Sequence, residues 1–391
     1  MPDIKAIQDE LRAAKLDGWL FYDFHQRDPI AYRILALNPA MATRRWFYMI
    51  PARGEPRKLV HRIESGNLDS LPGQKTLYAG LDELQKALAR LLGRGKTLAM
   101  QYSPNGQIPY VSMVDAGVVE LIRGFGKKIV SSAELVQKFE ARWSPDQLST
   151  HLQAGRVIDR IIQQAFGQVC AHLRQRKEIT EHALQQWILE QFRANLLHAD
   201  HAPIVAVGKN SGNPHYEPRP DSSWVLREGD LLLLDVWGKT RAAHSVFYDV
   251  TWVGFLGNSV PEKFVKVFNI VKAARDAAVS YVQNAVKTGK QMRGWEVDRA
   301  AREVIRKAGY AKFFVHRTGH SIGQDVHGNG ANMDGLETKD DRLVIPHTCF
   351  SVEPGIYLPE FGIRSEVNVY VADRQARVTG AIQQEIIPIL A

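Results

Sequence analysis

The stretch Ile363-Arg364-Ser365-Glu366-Val367-Asn368-Val369-Tyr370-Val371 alternates polar with mostly apolar side chains. Successive side chains of a β-strand point to opposite faces, so this period of two predicts one strand over the whole stretch. Its polar face carries Arg364, Glu366, Asn368 and Tyr370. A carboxylate on a face of an otherwise buried strand is unfavourable unless a cation or hydrogen bonds compensate its charge. Glu366 therefore needs a partner.

Three further acids lie in similar surroundings. Asp235 closes the apolar run 231–234, and Asp249 lies within 247–252, where it shares a strand face with Thr251. Glu353 ends the run 349–353, in which bulky apolar residues alternate with small or polar ones. His320 lies between the two pairs of acids, in a loop rich in glycine. Four such acids suggest a common explanation.

Each acid taken alone could simply end a strand or cap a turn. Taken together with one imidazole, they form the ligand set expected for divalent ions of hard or borderline character, such as Mn²⁺, Co²⁺ or Zn²⁺. Two ions about 3.5–4 Å apart can clamp a bridging hydroxide and polarise a carbonyl group. The sequence thus predicts a shared site for two metal ions, formed by Asp235, Asp249, His320, Glu353 and Glu366.

Two motifs extend this pattern. The segments His316-Arg317-Thr318-Gly319-His320-Ser321-Ile322-Gly323 and Val352-Glu353-Pro354-Gly355-Ile356-Tyr357 occur in order with the five residues. In this order the chain resembles the metallopeptidases of the pita-bread fold, which include methionine aminopeptidase, aminopeptidase P, prolidase and creatinase, and it is most similar to the Xaa-Pro peptidases. The resemblance covers the chain from about Ser144 onward. It implies an α+β protein with a C-terminal pita-bread catalytic domain and a smaller α/β creatinase-type N-terminal domain.

The resemblance implies a role for each predicted ligand. Asp235 and Asp249 would bind one or both ions, and Glu366 would bridge them. His320 would be the sole nitrogen ligand. Glu353 would bind metal and also act as the general acid/base that takes a proton from the bridging water.

Other residues match the surroundings of the metal site in that group. His327 and His215, the latter within 213–216, match two histidines that are not ligands and that contact the scissile amide or the developing oxyanion. His316 matches an extra histidine of the proline-specific branch, and Arg364 matches an arginine that holds nearby acids in place. Any one of these histidines could instead be a surface or hydrogen-bonded core residue. We interpret the pair His198 and His201 as loop residues, because they have no acidic complement.

Some positions depart from the group's pattern. Asp235 and Asp249 are separated by about three residues more than usual, and the extra length lies in 238–244, where a longer hairpin could absorb it. Trp252 stands where many members have arginine, and Gly328 replaces an acidic residue that often follows the second loop histidine. These differences affect no predicted ligand and bear on substrate specificity.

Composition excludes several classes of protein. The 391 residues suffice for two or three domains, and 45% hydrophobic content is ordinary for a globular protein. The sequence has no apolar stretch of the ~18–20 residues needed to cross a bilayer, and its first residues lack a secretory signal pattern. Two cysteines, Cys170 and Cys349, are too few for a disulfide framework. We therefore expect a cytoplasmic protein without a membrane partner.

The net charge of +8 does not by itself indicate nucleic-acid binding. The densest basic stretch, 44–62, encloses the segment 46–50, which has the composition of a core strand, and no recognition helix or zinc knuckle accompanies it. Solvent-exposed basic residues are the better interpretation. The excess charge could also favour anionic peptides or a subunit contact.

The predicted domains are 1–141 and 142–391. The first alternates helix and strand signals and shows no catalytic constellation. The second starts near Trp143-Ser144-Pro145-Asp146, where Ser144 is a good N-cap and Pro145 suits a first helical turn. By resemblance, the first domain would shape the substrate cleft and help to form a homodimer.

The favoured function is a two-metal exopeptidase that hydrolyses Xaa-Pro bonds in peptides with proline in second position, as aminopeptidase P does, by attack of a hydroxide that bridges two ions. Mn²⁺ is the preferred metal, and Co²⁺, Zn²⁺ and Fe²⁺ are also compatible with the ligands. Three alternatives stay open: a prolidase-type Xaa-Pro dipeptidase, a metal-free hydrolase of the creatinase type, and a binding homologue that lost the chemistry.

Overall fold

The computed structural model describes residues 2–38 and 41–391, which divide into two compact units, Met1–Glu140 and Ala141–Ala391. The helices and strands of the first unit are α1 (Ile4–Ala13), β1 (Gly18–Asp23), α2 (Pro29–Ile34), β2 (Trp46–Pro51), β3 (Arg57–His61), β4 (Gln74–Tyr78), α3 (Leu81–Leu92), β5 (Thr97–Met100), α4 (Ala116–Gly124), β6 (Lys128–Ser131) and α5 (Ala133–Val136).

The first unit is a mixed sheet between helical layers. Its strands lie in the order β4-β3-β2-β1-β5-β6, and the central β1 is buried along its whole length. Alternate β1 side chains enter different cores: Trp19 and Phe21 pack with residues of α1 and α2, and Leu20 and Tyr22 pack with residues of α3 and α4. A strand covered on both faces explains why its sequence is apolar without interruption.

The second unit contains the predicted site. Its helices and strands are α6 (Pro145–Arg174), α7 (Glu181–Ala194), β7 (Leu197–His198), β8 (Ile204–Val207), β9 (Leu231–Thr240), β10 (Tyr248–Phe255), α8 (Glu262–Thr288), α9 (Gly294–Lys307), β11 (Ser321–Ile322), β12 (Thr348–Val352), β13 (Gly355–Tyr357), β14 (Gly362–Arg364), β15 (Val367–Val371), β16 (Ala376–Thr379) and β17 (Ile387–Pro388).

Two groups of helices enclose the strands of this unit. In β9, Leu232 and Leu234 pack in a core with residues of α6 and α7, and Leu231 and Leu233 pack in a core with residues of α8 and α9. The antiparallel pair β9 and β10 belongs to a five-stranded sheet, and β11-β12-β15-β16 form a second sheet of four strands. Together with the first unit, this arrangement confirms the predicted α+β class.

The prediction of one strand from Ile363 to Val371 was wrong. The chain forms β14 and β15 there, and they belong to different sheets, with Ser365 and Glu366 between them. The antiparallel partner is interrupted at the same level, because β12 ends at Val352 and β13 begins at Gly355. Pro354 lacks an N–H for a sheet hydrogen bond, which favours a break at this point. Glu353 and Glu366 thus lie at a common interruption of two paired segments.

The position of Asp235 directly after the apolar run 231–234 suggested that it lies at the end of a strand, but the strand continues beyond it. β9 continues to Thr240, so that Asp235 is inside the strand, where it pairs with Thr251 of β10. The extra residues in 238–244 extend this hairpin at its far end, where His244 adopts a positive φ of 58°. The longer connection therefore leaves the pairing of β9 with β10 continuous from Leu231 to Gly238.

Helix termini follow their capping residues. Ser144 caps α6 through a reciprocal capping box with Gln147, as its sequence position predicted. The start of α4 at Ala116 is fixed in a similar way, because the Asp115 side chain accepts a hydrogen bond from the Val118 N–H. Among the helices of the described ranges, none combines the length and apolar character of a membrane span.

Candidate metal centre

Four acids and one histidine converge at the interrupted strands. One ligand atom each from Asp249, His320 and Glu366 lies within 4.8 Å of the others. His320 Nε2 is 3.5 Å from Asp249 Oδ2 and 3.4 Å from Glu353 Oε1. Asp235, on the strand next to Asp249, is 8% exposed, and its charge affects the pKa values of Asp249, Glu353 and Glu366. The structure thus brings all five predicted ligands together.

His320 is oriented by its surroundings. Its Nδ1 lies 3.1 Å from the Ser321 carbonyl oxygen, which requires a proton on Nδ1 and leaves the Nε2 lone pair facing the acids. Its backbone N–H donates to Ser351 Oγ, which in turn donates to Glu353 Oε1 at 3.1 Å. Gly319 makes this approach possible, because a Cβ there would lie 1.9 Å from the Ser351 carbonyl oxygen. A neutral imidazole held in this way is arranged as a metal ligand usually is.

Arg364 and Thr251 organise the acids on the opposite side. The guanidinium, which is buried, forms an ion pair with Asp235 Oδ2, and its Nε donates to Thr251 Oγ1 at 2.9 Å. Thr251 Oγ1 donates its own proton to Glu366 Oε2 at 2.8 Å. Asn368 exchanges two hydrogen bonds with the backbone of Asp249 and so ties β15 to β10. These contacts hold Asp235 of β9, Asp249 of β10 and Glu366, between β14 and β15, in one arrangement.

Burial shifts the pKa values of the acids and of the histidine in the cluster. It raises the pKa of Asp249 and of Glu366 well above the ordinary range, and the neighbouring acids add to this effect. Burial also raises the pKa of Glu353 to about 7, against the lowering effect of Arg364. The pKa of His320 falls well below its ordinary value, again first through burial. The protein alone therefore does not stabilise the charged form of these groups.

The donor set fits divalent cations. Asp235 Oδ1, Asp249 Oδ1 and Glu366 Oε1 are buried carboxylate oxygens without a hydrogen-bond partner among the described residues. Buried polar atoms are normally paired, so three such oxygens in one cluster indicate a missing electrophile. Carboxylate oxygens and one imidazole nitrogen are suitable ligands for Mn²⁺, Co²⁺, Zn²⁺ or Fe²⁺, and cations here would restore the ordinary ionised state of the acids.

His316 belongs to a hydrogen-bonded chain that ends at Arg364. Its Nδ1 lies 2.7 Å from the Arg317 carbonyl oxygen, and its Nε2 lies 2.7 Å from the Tyr357 hydroxyl, which also accepts from Arg364 Nη1 at 3.1 Å. The partners assign the proton of the neutral ring to Nδ1 and direct the Tyr357 hydroxyl proton toward Nε2. Burial lowers the pKa of His316 to about 3, with Arg364 as the next cause.

The two remaining predicted histidines lie near the metal-ligand candidates: His327 contacts His320, and His215 affects the pKa of Asp235. The rings of His327 and His320 meet edge to face, with centroids 4.3 Å apart. His215 lies on an exposed loop, and it is close enough to affect two neighbours. Burial raises the pKa of Asp235, while Arg364 and then His215 lower it. Burial also lowers the pKa of His327 to about 4, with contributions from Arg317 and His215. The interpretation of His198 as a loop residue without an acidic complement was wrong, because His198 ends β7, and its exposed Nε2 lies 2.8 Å from Asp200 Oδ1.

Sequence reasoning did not assign several residues of this centre. Thr251 received no role from the sequence, although its alternation with Asp249 places it on the same strand face as that acid. Tyr357 belongs to the motif that contains Glu353, and nothing local indicates that its hydroxyl joins His316 to Arg364. Arg317 affects the pKa values of His320, Glu353 and His327. Its signal was its place within the histidine motif.

Comparison with known proteins agrees with this geometry. The family model of metallopeptidase family M24 matches residues 151–373, which is more than half of the chain. The M24 match includes every predicted ligand. A cluster of four carboxylates and one histidine, on paired strands and at the breaks beside them, is typical of metal-dependent proteins. The chain belongs to metallopeptidase family M24.

Individual relatives share this family. The chain is 33% identical over 200 residues to a protein of Mycoplasma pneumoniae named "Putative Xaa-Pro aminopeptidase", a match that covers 51% of this chain and 52% of the relative. It is 27% identical over 237 residues to the Xaa-Pro dipeptidase of Lactobacillus helveticus, with 60% and 58% covered. This chain thus spans about half the length of the curated relatives it matches.

Solved structures extend the likeness to the whole chain. Dipeptidase PepE from Mycobacterium ulcerans superposes with a TM-score of 0.75 at 23% identity and covers 99% of this chain and 96% of its own. The predicted pita-bread fold with a preceding α/β unit is therefore confirmed as a fold.

Proposed function

We propose that this protein is a dinuclear-metal exopeptidase that hydrolyses Xaa-Pro bonds, with aminopeptidase P-like action on peptides that have proline in second position. The observation that carries the proposal is the set of unpaired, buried oxygens of Asp235, Asp249 and Glu366 around His320, in a chain of family M24. The name of the Mycoplasma pneumoniae relative supports the aminopeptidase. The Lactobacillus helveticus relative supports the second candidate, a prolidase-type Xaa-Pro dipeptidase.

The residues of the metal centre have two roles, metal binding and proton transfer. Two divalent ions, when bound, would supply Lewis-acid polarisation of the scissile carbonyl and lower the pKa of a water molecule. Asp235, Asp249, His320, Glu353 and Glu366 would hold them. Glu353 takes a proton from the attacking water and passes it to the leaving nitrogen, and its contact with Ser351 Oγ keeps the carboxylate aimed at the site.

The histidines next to the ligands act on the substrate. His327 and His215 donate hydrogen bonds to the scissile amide or to the oxyanion that develops from its carbonyl oxygen. His316 contributes to proline specificity through its hydrogen bond to Tyr357, which lies on the segment after Glu353. Arg364 keeps Asp235 and Thr251 in position during the reaction.

The decisive experiment compares hydrolysis of Ala-Pro-Ala and Ala-Pro by protein loaded with Mn²⁺ and by protein treated with a chelator. An aminopeptidase cleaves the tripeptide more efficiently, and a prolidase-type enzyme prefers the dipeptide. Glu353→Ala should lose at least a hundredfold in kcat while the protein stays folded. The exposed Glu360→Ala is the matched control and should keep wild-type activity.

Negative outcomes identify the remaining alternatives. Unchanged turnover of a guanidino compound after chelation would indicate a metal-free hydrolase of the creatinase type. If neither the wild type nor Glu353→Ala binds metal or cleaves any peptide, the protein is a binding homologue. Either result would overturn the proposal.

The proposal includes Mn²⁺ as the preferred metal, a homodimer and a cytoplasmic location. Elemental analysis of protein purified without added metal identifies the ion. Light scattering at several concentrations gives the oligomeric state, and fractionation of the source cells gives the compartment. The presence of only two cysteines in the sequence supports a reducing compartment.

A further inference from the structure

Glu181, the first residue of α7, is a buried carboxylate outside the metal centre. It is 0% exposed, and all its observed donors are uncharged. Its Oε1 accepts from the Val207 N–H at 2.8 Å and from Asn210 Nδ2 at 3.0 Å. Its Oε2 accepts from the Tyr216 hydroxyl at 2.6 Å and from the Trp224 N–H at 2.8 Å. Four donor groups on one buried carboxylate form an unusually complete hydrogen-bond set.

These donors come from one segment of the chain. We call residues 208–224, between β8 and the pairing of Val225 with Thr180, the His215 loop. Val207 is the last residue of β8, directly before the loop, and Asn210 lies near the start of the loop, Tyr216 in its middle and Trp224 at its end. Glu181 therefore binds the loop at three separate points and closes it around a single carboxylate.

The middle contact is adjacent to the histidine near the acids. Asn213 shapes a turn there: its Oδ1 accepts from the His215 N–H at 3.1 Å, and its carbonyl oxygen accepts from the Tyr216 N–H at 3.1 Å. The Tyr216 side chain points into the protein toward Glu181, whereas the preceding residue, His215, is exposed. The position of His215 thus depends on where the Tyr216 hydroxyl is held.

A second contact attaches the loop to the strands of the metal centre. Ser211 Oγ accepts from the Gly362 N–H at 2.9 Å, and Gly362 is the first residue of β14, which also contains Arg364. A Cβ at Gly362 would meet the Ser211 carbonyl oxygen at 2.0 Å, so loop and strand are in close contact. This contact fixes the start of the loop but leaves 213–224 dependent on Glu181.

The surroundings of Glu181 supply hydrogen-bond donors to both of its side-chain oxygens. The N-terminus of α7 adds the positive end of the helix dipole at its first residue. Water can replace these four donors only if several buried hydrogen bonds are given up together, so the arrangement resists exchange. An amide in this position would offer one acceptor oxygen and would turn its NH₂ group toward N–H and O–H donors.

We propose that Glu181 is a positioning residue that sets the location of His215 by closing the His215 loop, and that it thereby supports binding of the scissile amide. This inference rests on the proposed function, because it takes His215 to act on substrate. Glu181 touches no reacting atom. Its effect on catalysis should therefore pass through His215 and disappear when His215 is removed.

The test is a double-mutant cycle with Glu181→Gln and His215→Ala, assayed with Ala-Pro-Ala. Glu181→Gln alone should lower kcat/KM about tenfold, as expected for one misplaced hydrogen-bond donor. In the His215→Ala background the same change should lower kcat/KM less than about twofold. Equal losses in both backgrounds would show a general structural role and overturn the proposal. Glu190→Gln, an exposed change on the same helix, is the matched control.

A second readout does not depend on activity. Hydrogen exchange of peptides within 208–224 should be at least about tenfold faster in Glu181→Gln than in wild type, with β9 and β10 unchanged. Unchanged exchange of the loop would overturn the proposal. If the wild type cleaves no Xaa-Pro peptide and the loop still exchanges faster, the proposed function fails while closure of the loop by Glu181 is upheld.

If Glu181→Gln does not fold, Tyr216→Phe replaces it in the same cycle. That variant removes one donor and keeps the carboxylate paired with the other three. It should show a smaller loss of kcat/KM that again disappears with His215→Ala, and faster exchange confined to the middle of the loop. A loss that persists without His215 would overturn the proposal.

Discussion

Glu353→Gln should stabilise the metal-free protein at neutral and higher pH. Burial raises the pKa of Glu353 from its ordinary 4.5 to about 7, so the folded protein resists ionisation of this group. In the unfolded chain the carboxyl ionises near its ordinary value. As pH rises from about 4.5 to about 7, the unfolded state loses this proton while the folded state keeps it, and the wild type loses stability. Glutamine does not ionise and avoids the loss.

The magnitude follows from the two pKa values. Their difference corresponds to about 3 kcal/mol in the free energy of unfolding, fully developed above pH 7 and absent below about pH 4. The Glu353 side chain is only 14% exposed, so solvent screening reduces this value little.

Urea denaturation in the presence of a chelator, at intervals from about pH 4.5 to 8.5, measures this difference. At saturating Mn²⁺ the wild type should be more stable than Glu353→Gln, because the wild type binds the ions more tightly and gains more stability from them. A difference that stays constant with pH would refute the reasoning, since it would mean that Glu353 ionises normally in the metal-free protein.

Three further substitutions test separate contacts. Arg364→Met removes the buried partner of Asp235, and we expect a loss of about 3–5 kcal/mol in the metal-free protein, measured by urea denaturation. Gly319→Ala places a Cβ 1.9 Å from a backbone oxygen, and it should lower Tm by several degrees and weaken metal binding. Its control is Gly124→Ala, because a Cβ at position 124 has open space around it, and this change should leave metal binding unchanged and Tm unchanged or slightly raised. Thr251→Val removes the hydroxyl between two site residues and should weaken metal binding about tenfold by competition with a chelating dye, while Thr251→Ser should retain it.

The strands and the predicted ligands were accessible from local sequence, although strand boundaries were not. Alternation placed Asp249 and Thr251 on one face, and the apolar run before Asp235 indicated a buried strand. The same alternation wrongly joined β14 to β15, because period two cannot show that a strand changes its partner. That change at Ser365 and Glu366 depends on the interruption before Gly355 in the antiparallel partner segment, which the alternation within 363–371 does not reveal.

What the sequence by itself determined is the identity of the chemical groups: which acids lie on buried strands, which histidines lie in the glycine-rich loop, and which family they resemble. Only the tertiary structure decided the pairing of Asp235 with Arg364, of Tyr357 with His316, and of Glu181 with a loop that begins more than twenty residues later. Alternation and capping act over a few residues and are visible in local sequence. A hydrogen-bond partner is chosen by sheet register and by packing between distant segments, which exist only once the chain has folded.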